Sequence, residues 1–227
     1  MTDNDKNTMA KKESLKEKNT PHIVLFIVWC LALYAVFVIS PTDFWGKLQS
    51  IFKEFNAKDG LILIISPILT LILTGLISSD NKAKLVFWRY RYALPGHRAF
   101  SEVAKHDARI NAKQLAQKMG SIPKGPKEQN SQWYLIYKRY SETPTVLHAH
   151  KNFLLSRDLC SISFLFALIG PWGLLLHGHR SYVVLLYASV MFAHYLLFMV
   201  VARNHGNRFV GNVLAELMAD KTFQYQC

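Results

Sequence analysis

Histidine has the widest chemical range of any side chain in this sequence, and there are nine. Two pairs, His148-x-His150 and His177-x-His179, have a spacing that on a helix points the members in different directions, away from a shared metal ion. Neither pair has a carboxylate and a third ligand in a metal-binding arrangement, so both read as polar caps at the ends of apolar stretches. No metal site and no cofactor are expected. The sequence holds no P-loop, no G-x-S-x-G, no H-E-x-x-H and no glycine-rich dinucleotide motif, which leaves no recognisable catalytic signature. The candidates for chemistry on lipid head groups at the cytoplasmic face are His148, Asp158 or His205. Cys30 and Cys160 lie in apolar stretches and read as small hydrophobic filler. Cys227 is the last residue printed, and the three cysteines define no disulfide framework.

Basic side chains offer a second kind of chemistry. Phe87-Trp88-Arg89-Tyr90-Arg91-Tyr92 alternates aromatic and basic residues, a pattern that can stack nucleic-acid bases. It follows a long apolar stretch within about ten residues, where interfacial aromatics and cytoplasmic positive charge occur together. The pattern therefore reads as a membrane belt, and nucleic acid is not the expected partner. Arg89, Arg91, Arg98, Lys138 and Arg139 are the candidates for contacting an anionic ligand or lipid head group. Adjacent Arg157 and Asp158 are expected to form an interface ion pair with Arg203.

Four uncharged stretches dictate where these residues sit: 21–42, 60–79, 159–176 and 181–202. Each has the roughly 20 residues that a helix needs to cross about 30 Å of hydrocarbon. Backbone polar groups in lipid must be satisfied within the segment, so the stretches are helices. The expected fold is an all-α membrane protein with four transmembrane helices in two hairpins. Spans are placed at 22–40, 60–79, 159–177 and 182–202. A tail of residues 1–21 precedes them and is expected to be disordered. Phe44, Trp45, Leu48, Ile51, Phe52 and Phe55 recur at helical spacing, which predicts an amphipathic interfacial helix over 44–57.

Charge sets the orientation. Residues 80–158 hold fifteen Lys and Arg against six acids, a net +9 out of the chain's +12. The first 20 residues add five lysines, whereas Arg180 is the lone cation between the last two stretches. Lys and Arg are retained on the cytoplasmic side. Both termini and the 80–158 insert are therefore expected in the cytoplasm, with the chain in the inner (plasma) membrane. Within the insert, helices are predicted over 107–119, ending at Gly120, and over 132–140. A further helix from Pro144 is expected to run into the third span. Phe209, Val210, Val213, Leu214 and Leu217 predict an amphipathic helix in the 203–227 tail, lying along the inner membrane surface.

One titratable residue lies deep within a span. At about 1.5 Å per residue, His194 sits roughly 12 Å from the cytoplasmic end. Cys30 falls at about 12 Å and Thr70 at about 13–14 Å on the same count. A histidine at that depth needs a partner, and a His194–Thr70 hydrogen bond near Cys30 is expected.

These features describe a non-enzymatic membrane protein whose basic insert receives a partner or ligand. Expected partners are anionic lipids, other copies of the chain, and a cytoplasmic protein or nucleotide-type ligand. A channel or transporter subunit and a head-group enzyme are the alternatives. The layout is similar to that of small four-helix membrane effectors in bacterial antiphage systems, a similarity of architecture alone.

Overall fold

The computed structural model describes residues 14–38 and 69–221. Of these residues, 83% are helical and none is in a strand. Helix α1 (Leu15–Val38) begins at a reciprocal cap, in which Ser14 N–H donates to Glu17 Oε2 at 2.7 Å and Glu17 N–H donates to Ser14 Oγ at 3.3 Å. This cap starts the helix inside the segment expected to be a disordered tail. The predicted interfacial helix over 44–57 lies outside the described residues. Of the predicted second span, residues 69–76 are described and are helical.

A break at 77–78 precedes α2 (Ser79–Phe87), capped by Ser78 Oγ, which accepts from Asn81 N–H. The helix stops at Trp88, whose backbone is left-handed with φ of 52°. A 3₁₀ turn (Pro95–Arg98), a π turn (Ala99–Val103) and one α turn (Ala104–His106) follow. Helix α3 (Ala112–Met119) starts later than predicted because Asp107 and Asn111 each hold local backbone N–H groups instead. It ends at Gly120, where φ is 70°. Helix α4 (Pro126–Tyr140) starts earlier than predicted, at a proline whose missing N–H costs nothing in the first turn.

Two long helices complete the chain, α5 (Pro144–Leu176) and α6 (Ser181–Ala219), joined by a turn through Gly178 at φ of 75°. They pack antiparallel along most of their length and form the centre of the molecule, while α1 lies mainly along α5. Helices α1, α5 and α6 are each long and apolar enough to cross a membrane.

At 39 residues, α6 is about 58 Å long, close to twice the thickness of a bilayer's hydrocarbon. Its second half is therefore not a separate tail helix along the membrane surface, as expected. It continues straight from the fourth apolar stretch and buries its apolar stripe in protein. Phe209, Val210, Val213, Leu214 and Leu217 share one core with Leu115 and Met119 of α3, Trp133 and Ile136 of α4, and Val146 and Phe153 of α5. The short helices of the insert cannot bury their own apolar faces, and α5 and α6 supply the missing wall.

Candidate functional site: an ion pair beneath a basic helical module

The module formed by the insert and the ends of α5 and α6 is ordered by its polar side chains as much as by its core. Gln129, buried in α4, accepts on one Oε1 from Phe100 N–H, Ser101 N–H and Ser101 Oγ at 3.1–3.2 Å. It thereby satisfies donors that the π turn leaves open. His150 lies flat on Phe209 at 4.5 Å, with Tyr137 Oη 3.1 Å from its Nδ1. Burial, helped by the Arg157 charge, lowers its pKa to about 4. At the far end, Asp220 accepts from Tyr140 Oη at 2.7 Å and pairs with Arg139 at 3.3 Å, while its backbone carbonyl takes a hydrogen bond from Lys118 Nζ.

The five candidate cations of the insert do not form one cluster. Arg89 and Arg98 share Glu102, at 3.2 and 2.9 Å. Arg98 is buried, donates to the carbonyls of Tyr92 and Ala93, and lies over the Phe87 ring at 5.2 Å, so it is a framework residue. Arg91 is exposed. Lys138 lies over Tyr134 at 5.3 Å, and the adjacent Arg139, in the last turn of α4, is held by Asp220. Arg91, Lys105, Lys113, Lys127 and Lys138 are nevertheless each exposed on the module.

Below the module, at the level where the apolar stretches begin, sits a buried ion pair. Lys82 Nζ contacts Asp158 Oδ1 at 2.8 Å and donates to the Thr74 carbonyl at 2.8 Å, and both charged side chains are buried. Burial pulls the Lys82 pKa below the usual lysine range, and Asp158 opposes that shift. Arg157 Nη2 reaches the same Asp158 oxygen at 3.4 Å, and the planar Arg157 guanidinium lies over Phe153 at 5.9 Å.

Arg203 is not in this cluster, contrary to expectation. Its Nε donates to the Val86 carbonyl at 2.6 Å and its guanidinium covers Trp88 at 5.1 Å. Trp88 Nε1 donates to Tyr195 Oη at 2.7 Å, which in turn donates to the Leu85 carbonyl at 2.9 Å. Arg203 thus serves the C-terminus of α2, where open carbonyls favour a cation. Lys82 takes the place expected for it. The two ends of the insert, 82 and 158, leave the apolar zone side by side, and that juxtaposition was available as a signal.

The expected grouping of His194, Thr70 and Cys30 is not formed. Trp29 Nε1 donates to His194 Nε2 at 3.5 Å, and His194 Nδ1 lies 3.2 Å from the Val190 carbonyl. Thr70 lines a cavity with Lys82 and Asp158, and Cys30 is packed with Leu174, Tyr187 and Met191. Equal depth along three helices does not make equal facing, because residues around a helix turn by 100° per step. His148 and Asp158 stand ten residues apart on α5, about 15 Å, so these two candidates do not share one site. Among the described residues, no three His, Cys, Asp or Glu side chains come together as metal ligands.

Among the described residues the fold is all-helical, with three helices long and apolar enough to span a membrane. The chain matches no protein-family model, no curated protein and no solved structure.

Proposed function

We propose that this is a non-enzymatic, four-span inner-membrane protein, oligomeric, with both termini and the basic module on the cytoplasmic face. The module receives an anionic ligand or partner, and the spans answer by assembly, signalling or altered permeability. One observation carries this reading: α5 and α6 run unbroken from the module's core into the apolar stretches. A helix that is part of two cores transmits displacement from one to the other without a hinge.

The basic face supports an anionic partner, since each Lys or Arg near an acidic surface contributes about 1 kcal/mol. A channel or transporter subunit and an enzyme acting on head groups have less support. Asp158 is engaged by Lys82, about 15 Å from His148 along α5.

Reporter fusions test the topology. A reporter after Asn130 or after the C-terminus should read cytoplasm, and one at Lys53 should read outside; a cytoplasmic signal at Lys53 overturns the four-span arrangement. Function is tested by expressing the full chain alone and with the products of its genomic neighbours while following membrane potential. A potential change that disappears when Arg91, Lys105, Lys113, Lys127 and Lys138 are replaced by Gln supports the reading. A change that survives those replacements removes the module from the mechanism.

A further inference from the structure

A cavity of about 370 Å³ opens beside the Lys82–Asp158 pair, between the first turns of α1, helical residues 69–76, α2 and α5. Its polar lining is unusual in three ways. Asn19 is 1% exposed, and its Nδ2 donates to the Lys151 carbonyl at 2.9 Å, yet its Oδ1 accepts no hydrogen bond among the described residues. A buried amide oxygen in that state calls for a donor.

Lys82 spends two of its three ammonium hydrogens on Asp158 and the Thr74 carbonyl, leaving one donor. Charge around the cavity is also unbalanced. Lys16 and Lys82 in the lining, with Arg157 reaching Asp158 from beside it, face two carboxylates, Asp158 and Glu17, which leaves one positive charge in excess (three against two). Arg157 and Lys16 add to the burial that holds the Lys82 pKa down, and an anion would relieve that repulsion.

Beside Thr20, Thr70 and Thr74, the lining has an apolar side. Ile23, Leu71 and Leu154 adjoin the polar groups, and Leu71 is 75% exposed. A side chain added at Gly75, which also lines the cavity, would meet nothing within 4 Å among the described residues. Polar groups within and an open apolar mouth, at the level where the apolar stretches begin, fit an amphiphile better than a free ion.

We propose that the cavity holds one anionic phospholipid with a hydroxylated head group. Its phosphate lies against Lys16 and Lys82, its hydroxyl donates to Asn19 Oδ1, and its acyl chains leave past Ile23, Leu71 and Gly75. The proposal rests on the membrane reading above. It adds that the lipid bridges α1 to the junction of module and spans, independently of any ligand on the module's basic face.

The test uses the full chain reconstituted into bilayers of phosphatidylcholine with phosphatidylglycerol, released into mild detergent and weighed intact by native mass spectrometry. Expected is one retained phosphatidylglycerol per chain and no retained phosphatidylcholine. Gly75→Leu fills the mouth while leaving every charged group in place. It should lower the lipid-bearing fraction about ten-fold, the effect of losing one well-made contact, with an unchanged helical circular-dichroism spectrum. Lys16→Gln should lower it about five-fold, the worth of one lysine against an anionic lipid.

Equal retention of both lipids, no retained lipid, or undiminished retention in Gly75→Leu each overturns the proposal. Inorganic phosphate binding the delipidated protein and excluding phosphatidylglycerol assigns the cavity to a free anion and also overturns it. If the chain fails to stay with the bilayer after an alkaline wash, the membrane reading itself has failed, and that result is visible before any lipid is weighed.

Discussion

The two halves of α5 and α6 obey opposite burial rules. In the module, Leu115, Ile136, Leu214 and Leu217 are all fully buried, as in a water-soluble domain. In the apolar half of the same helices, Leu168 is 55% exposed, Leu185 66% and Leu176 89%. Apolar side chains facing outward over a helix's length are stable only in an apolar solvent. Packing there relies instead on close approach. A side chain at Gly170 would collide with the Tyr187 ring, and one at Gly173 with the Tyr34 hydroxyl. One pair of helices thus carries two kinds of surface, and the Lys82–Asp158 pair lies near where they change.

The largest expected effects separate the two halves directly. Phe209 lies among the rings of Trp133, Tyr137, His150 and Phe153. Phe209→Ala should destabilise the protein by about 3–5 kcal/mol, whereas Leu185→Ala, on the outward face, should change it by less than about 0.5 kcal/mol. Thermal unfolding of both variants in lipid nanodiscs makes the comparison, and equal costs would end the distinction between the two surfaces.

Similar in size is the boundary itself. Asp158→Leu alone leaves a buried ammonium unpaired and should cost about 3–5 kcal/mol. Adding Lys82→Met should recover most of that loss, since paired apolar replacements are often neutral. A double variant as unstable as the single one would mean that the charges serve more than each other.

Next is Gly170→Val, which overpacks against Tyr187 and should cost about 1–3 kcal/mol. The loss should be confined to the apolar half, so amide exchange of the module core should stay slow.

The module should also be the acid-sensitive half. Between pH 6.5, histidine's ordinary value, and about 4, the unfolded chain protonates His150 and the folded one does not. The unfolded state then binds more protons, so stability is complete above that window and falls as pH drops through it. His150→Phe, which keeps the ring stacked on Phe209, should flatten that dependence in urea titrations at pH 7 and pH 4.5. An unchanged slope would assign it to another group. The smallest effect is expected at the exposed Lys84–Asp80 pair, 2.8 Å apart, where Asp80→Asn should change stability by no more than about 1 kcal/mol.

Local signals were legible. The uncharged stretches at 159–176 and 181–202 lie within α5 and α6, and the described part of the first, 21–38, lies within α1. Pro144 opens α5, Gly120 ends α3, and of the helically spaced Trp133, Ile136, Tyr137 and Tyr140 all but the half-buried Tyr137 are buried in α4. All of these depend on near neighbours in the chain: hydropathy over one helix length, a proline's missing N–H, or the 3.6-residue period.

Pairing across elements was decided by the tertiary structure alone. His194 found Trp29 rather than Thr70, Asp158 found Lys82 rather than Arg203, and the stripe at Phe209 to Leu217 found the insert rather than a lipid surface. Depth along a span follows from counting residues, but facing depends on each helix's rotation about its axis, set by ring and glycine contacts made with other helices. An amphipathic stripe likewise states only that an apolar partner exists. Whether that partner is lipid or protein depends on which other segments have apolar surface left to bury, and here the insert had more than its own short helices could cover.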